Sequence, residues 1–139
     1  MKIGLIDVDS HNYPNLALMK ISAFHKARGD TVEWWWGWGQ YDRVYMSKVF
    51  DNTYTPDIPE PINTDEIVKG GTGYGLDNKL PPEIEHMRPD YSLYPELTKD
   101  RAYGFLTRGC PNHCPFCIVC EKEGRKSCKV ADLGQWWNG

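Results

Sequence analysis

Apolar positions fall in short runs separated by polar and proline-rich stretches, and their periods set out an order of elements. Residues 2–8, Lys-Ile-Gly-Leu-Ile-Asp-Val, predict a short strand rich in branched side chains. Asp9 to Asn12 with Pro14 make a polar turn, and Pro14 and Asn15 then open a helix, because a missing N–H costs nothing in a first helical turn. From Leu16 to Arg28, Ala17, Ile21 and Phe24 recur at helical spacing, as do Met19, Ala23 and Ala27, and Gly29 supplies a stop. Thr31 to Trp36 predicts a second strand, and Arg43 to Phe50, with Val44, Met46 and Val49, a third. Residues 51–64 carry Pro56, Pro59 and Pro61 and read as loop. Glu66-Ile67-Val68-Lys69 is a short strand running into Gly70-Gly71-Thr72-Gly73. Residues 75–100, with Pro81, Pro82, Pro89 and Pro95, read as an irregular link. Ala102 to Thr107 is a further strand that delivers the chain to Cys110, and Asp132 to Trp137 begins a helix.

Strand, helix, strand at this spacing predicts an α/β fold with a parallel sheet and crossover helices. Residues 1–98 are expected to form a small Rossmann-like domain with its linker. Residues 99–139 read as the opening strand and loop of something larger. The 139 residues suffice for about one ordinary domain. A complete (β/α)8 barrel, which needs about 200 residues or more, is excluded for this length.

Composition narrows the function classes. Charged residues at 25% and apolar residues at 40% describe a globular chain. A formal net charge of −3 argues against a protein built to coat nucleic acid by neutralising phosphates. No apolar run approaches the roughly 18 residues that span a bilayer. Asp7 and Asp9 break the N-terminal apolar stretch, and no small-residue cleavage site follows, so a secretory signal is not expected and a cytoplasmic location is. Cytosolic thiols stay reduced, so clustered cysteines point to metal or redox chemistry rather than disulfides. All five cysteines lie between Cys110 and Cys128. Residues 99–139 hold seven Lys or Arg against four Asp or Glu, a net of +3, whereas residues 1–98 hold nine against fifteen, a net of −6. The cysteine-rich part is the basic part, which suits an anionic cluster of thiolates and sulfides, although an imbalance of this size is also ordinary scatter.

From Thr107 the sequence reads Thr-Arg-Gly-Cys-Pro-Asn-His-Cys-Pro-Phe-Cys. Cys110, Cys114 and Cys117 stand in the spacing C-x3-C-x2-C, with the aromatic Phe116 just before the third. This stretch closely resembles the signature of radical S-adenosylmethionine enzymes. The specific match covers about eleven residues, and the strand-to-loop context extends it to about forty. The resemblance implies a 4Fe-4S cluster held by Cys110, Cys114 and Cys117, with one iron left open to chelate S-adenosylmethionine. Reductive cleavage would release a 5′-deoxyadenosyl radical that abstracts hydrogen from a substrate, and Phe116 would lie near the adenine. It also implies an electron donor such as a flavodoxin or ferredoxin. The family's further adenosylmethionine contacts lie on later barrel strands, so residues 99–139 read as the first strand and cluster loop of a truncated barrel. The chain is not expected to complete catalysis alone, because the walls that shield a radical from water are missing. The substrate is unknown.

Rival readings remain for the cysteines, inert or redox-active thiols among them. The run Cys114-x2-Cys117-x2-Cys120 resembles a ferredoxin loop, but Gly124 stands where its further cysteine, before a proline, would be needed. A tetrahedral zinc site from four of the five cysteines, with or without His113, would make a structural or interaction module without catalysis, although no second well-separated C-x2-C pair exists. Under the cluster reading Cys120 and Cys128 are unliganded.

Other motifs are weaker. Asp9-x-His11-x-x-Pro14 follows the first strand, where α/β sheets bind ligands, and resembles the D-x-H-x-x-G of cobalamin-binding domains with its glycine lost. Ser47-Lys48-Val49 and Gly70-Gly71 resemble, in order, that family's later S-x-L and G-G. The resemblance makes His11 a candidate cobalt ligand; the simpler reading is a surface turn in a cofactor-free relative. Gly70-Gly71-Thr72-Gly73 suits a tight turn better than a phosphate cradle, lacking the G-x-G-x-x-G spacing. Trp34-Trp35-Trp36-Gly37-Trp38 reads as part core and part wedge against a following domain. Trp136 and Trp137 read as helix residues packing on the rest of the barrel, and His25 and His86 as structural or surface residues.

Overall fold

A computed structural model describes residues 1–9, 13–50, 53–75, 78–112, 114–115 and 122–135. The chain builds β1 (Lys2–Asp7), α1 (Leu16–Ala27), β2 (Thr31–Trp34), β3 (Tyr41–Ser47) and β4 (Thr64–Gly70). These strands form a parallel four-stranded sheet in the order β2-β1-β3-β4. A short helix α2 (Pro82–Glu85) and a 3-10 turn (Tyr91–Leu93) follow. The antiparallel pair β5 (Thr107–Arg108) and β6 (Cys128–Lys129) and a second 3-10 turn (Leu133–Gln135) complete the described elements. The α/β class with a parallel sheet is therefore as the periodicity predicts. No described helix is long and apolar enough to cross a membrane.

Helix α1 begins where Asn15 caps it, its side-chain oxygen accepting from the Leu18 amide at 3.2 Å. Its buried face sets Leu18 and Ile21 against Ile3, Leu5 and Tyr45 of the sheet, with Ile84 of α2 completing the cluster. Each such aliphatic side chain contributes about 1.5–3 kcal/mol when removed from water. The opposite face gathers Ile6, Val8, Tyr41, Val44 and Met46, with Trp35, Ile67 and Tyr74 packed around them.

That second face explains how the sheet manages with so few helices. Among the described residues of the sheet's connections, the β1–β2 connection carries the helix, as the sequence predicts, and the loop expected over 51–64 joins β3 to β4. Residues 35–40 pass from β2 to β3 as a short strap, and the loop between β3 and β4 carries Pro56, Pro59 and Pro61, which no helix interior would accept. Trp35 anchors the strap by packing on the second face and donating from its indole N–H to Asn63 at 2.8 Å. Tyr41, fully buried, donates to Glu33 at 2.8 Å. Its ring lies on Gly4, where a Cβ would stand 3.0 Å from the ring carbon, so a side chain there would make the ring give by a few tenths of an ångström.

Several boundaries differ from the sequence reading, among them those of four later elements. The second strand ends at Trp34 rather than Trp36, because the chain turns into the strap. The third runs from Tyr41 to Ser47 rather than 43–50. The strand expected over Ala102–Thr107 is ladder-forming only at Thr107–Arg108, and its partner is the antiparallel Cys128–Lys129. The expected helix from Asp132 is a 3-10 turn over Leu133–Gln135, and Trp136 and Trp137 lie outside the described residues.

Candidate functional site

Two groups of candidate residues are brought to the same side of the fold by the direction of the strands. At the carboxyl ends of β1 and β3, on either side of the point where strand order reverses, stand Asp7, Asp9, Ser47 and Lys48. The Asp9 carboxylate accepts from the Val49 amide at 2.9 and 3.1 Å and from the Phe50 amide at 2.9 Å. The Asn15 amide donates to the Ser47 hydroxyl at 2.8 Å. Lys48, fully buried, receives the Gly73 amide on its carbonyl at 2.8 Å and donates its own amide to Gly70 at 3.1 Å. The three motif fragments Asp9, Ser47-Lys48-Val49 and Gly70-Gly71 thus meet at one end of the sheet. They meet by bonding to one another: the crevice is bridged by the protein's own groups. His11 lies outside the described residues.

A tyrosine that the sequence reading passed over covers this end. Tyr94 donates its hydroxyl to the Asp7 carboxylate and packs edge-on to Trp34, with ring centroids 5.3 Å apart. Burial, then the adjacent Asp7 charge, pushes the Tyr94 hydroxyl well above the usual phenol range. The glycine stretch forms consecutive turns, with Tyr74 donating to Gly71 at 3.3 Å and Gly75 to Thr72 at 3.2 Å. The tryptophan run divides as its packing dictates: Trp35 joins the core, while Trp36 and Trp38 are 58% and 74% exposed. His25 is a core residue. Its Nδ1 lies 2.8 Å from an Asp30 carboxylate oxygen and its Nε2 lies 2.9 Å from the Tyr45 hydroxyl.

The cysteine segment is anchored at its base. Gly109 has φ +90°, and a Cβ there would stand 2.0 Å from the Lys126 carbonyl oxygen. Only glycine lets the outgoing and returning arms pass this closely. Directly after it, the Cys110 amide donates to the Gly124 carbonyl at 3.2 Å. Cys110 is half-buried, and Cys114 and Cys128 are exposed. Cys117, Phe116, Cys120 and His113 lie outside the described residues. Among the described residues no three His, Cys, Asp or Glu side chains are grouped as a metal site.

Charged residues tie this segment to the sheet unit. Arg108 donates to Glu85 of α2 at 2.7 Å and to Glu123 at 3.0 Å. Lys20 of α1 donates to the Glu85 carbonyl at 2.6 Å and stands 3.7 Å from its carboxylate. Burial holds the Lys20 ammonium below the usual lysine range against the pull of Glu85. Burial also opposes the charge on Arg108, but Glu85 and Glu123 together outweigh it and raise the guanidinium further. Lys122 donates to the Asn78 carbonyl at 3.0 Å, and Asn78 donates to Gly71 at 3.2 Å, linking the cysteine segment to the glycine turns. Sequence reasoning missed this set because its partners are far apart along the chain. The available signal was an arginine directly before Gly109-Cys110.

No match was found to protein-family models, to curated proteins or to solved structures.

Proposed function

We propose that residues 99–139 hold a 4Fe-4S cluster on Cys110, Cys114 and Cys117, and that the chain is a radical S-adenosylmethionine protein. The observation that carries this reading is the spacing C-x3-C-x2-C with Phe116 before the third cysteine. What is described of the segment fits such a group: Cys114 is exposed, and Cys110 follows β5 closely on a backbone fixed by Gly109 and Gly124. When bound, a cluster with one open iron supplies the electron that cleaves the sulfonium of S-adenosylmethionine, drawn from a flavodoxin- or ferredoxin-like donor. The chain's own part is to present three thiolates from one compact loop and to place Phe116 beside the adenine. The sheet of residues 1–98 is, in this reading, a Rossmann-like relative of cobalamin-binding domains that takes no cofactor. The bonds of Asp9 and Asn15 across its crevice support that choice over a cobalt ligand at His11.

Oxygen-free reconstitution with iron and sulfide tests the assignment. Wild-type protein should take up about four irons and four sulfides. Cys110→Ala, Cys114→Ala and Cys117→Ala should each lose most of this, while the Cys120→Ala, Cys128→Ala double variant should retain it. Stoichiometric zinc without iron uptake would instead establish the structural zinc module.

A further inference from the structure

Arg108 is the last residue of β5 and stands two positions before the first cysteine of the loop. Its guanidinium is forked between two carboxylates: one nitrogen donates to Glu85 on α2 at 2.7 Å and the other to Glu123 on the returning arm at 3.0 Å. The guanidinium carbon lies 4.4 Å from the centre of the Phe105 ring. The side chains of Arg108, Glu85 and Glu123 are only 27%, 24% and 19% exposed, so water and salt screen these pairs less than surface pairs. Glu123 adjoins Gly124, whose carbonyl receives the Cys110 amide. One ion pair and one backbone bond therefore close the same crossing of the loop. An ammonium is a single point charge and cannot reproduce a planar fork reaching two carboxylates.

We infer that Arg108 is the positioning residue of the cysteine loop, holding the returning arm against β5 and docking both on α2, so that Cys110 is presented on a fixed backbone. The inference rests on the cluster reading for its chemical purpose. A thiolate-held cluster becomes more negative on reduction, and a cation two residues from its first ligand favours that state.

The test uses the full chain as wild type, Arg108→Lys, Arg108→Gln and Glu123→Gln, first without iron. Amide hydrogen exchange at Cys110 should rise about tenfold or more in Arg108→Gln, as loss of a charged hydrogen bond dictates, while exchange at Ile3 and Leu5 stays as in wild type. Glu123→Gln, which leaves the Glu85 contact intact, should loosen Cys110 in the same direction and keeps the test decisive if Arg108→Gln fails to fold. Unchanged exchange at Cys110, or an equal rise at Ile3 and Leu5, overturns the positioning role. After reconstitution, the midpoint potential should fall in Arg108→Gln and be restored in Arg108→Lys, which keeps the charge. An unmoved potential with faster exchange retains the positional role and refutes the electrostatic one. Failure of wild type to bind iron removes the cluster reading, while the exchange measurement on iron-free protein still decides what Arg108 does.

Discussion

Replacing Asp9 with alanine asks whether the end of the sheet is held shut by the protein itself. The Asp9 carboxylate takes the Val49 amide on both oxygens, at 2.9 and 3.1 Å, and the Phe50 amide at 2.9 Å. Bonds to an ionised acceptor are worth about 1.5–3 kcal/mol each. The Phe50 bond is exposed, and water replaces most of it; the Val49 bond is half-buried and counts nearly in full. The expected loss is about 2–3 kcal/mol. At this chain length that lowers Tm by about 6–12 °C. Urea unfolding followed by far-ultraviolet circular dichroism measures it, and the slope of free energy against urea should match wild type. Asp9→Asn, which keeps one acceptor oxygen without the charge, should recover about half. An alanine variant within about 0.5 kcal/mol of wild type would refute the bridge and return Asp9 to the pool of free ligand-binding groups.

Other outcomes follow from the same geometry. Gly4→Ala should cost about 1–3 kcal/mol in urea unfolding, because its Cβ would press on the Tyr41 ring at 3.0 Å; a neutral result would mean the ring is free to move. Hydrogen bonds from His25 and then the Met1 amino group hold Asp30 below the usual carboxylate range, and those from Lys26, Ser22 and Ser92 do the same for Asp90 against the opposing effect of burial. Because these folded-state values are depressed, the stability they bring is complete above the unfolded carboxyl value of about 3.9 and is lost as pH falls through the folded ones. Urea midpoints should therefore drop below about pH 4, less steeply in Asp90→Asn, and a midpoint that rises on acidification would contradict the sign. Adding cobalamin to the purified chain should leave its visible spectrum unchanged; a shift abolished by His11→Ala would overturn the cofactor-free reading of the sheet unit.

Periodicity carried much of the fold and less of its wiring. Lys2–Asp7, Leu16–Ala27 and the strands around Val32, Val44 and Ile67 were legible because each pairs a local pattern with its own stop signal. Tyr41 was not legible as the start of a strand, because what fixes it is Gly4, a residue in β1. The short helix at Pro82–Glu85 was hidden by Pro81-Pro82, read as a breaker, although Pro82 sits at the first helical position where a proline is welcome. Fragments resembling a cofactor motif were correctly seen to lie in order along the chain. That they bond to one another depends on strand register, which no local pattern states. Arg108 escaped for a similar reason: Glu85 and Glu123 become its neighbours only when the returning arm crosses β5.

The central claim is an iron left open beside three thiolates, and one spectrum addresses it most directly. Oxygen-free protein, reconstituted with iron and sulfide and reduced, is measured by electron paramagnetic resonance before and after adding S-adenosylmethionine. The account predicts a 4Fe-4S signal whose g values change when the sulfonium compound is added, in wild type and in the Cys120→Ala, Cys128→Ala double variant alike. A signal indifferent to S-adenosylmethionine, or the lack of any cubane signal in zinc-free protein, would contradict it.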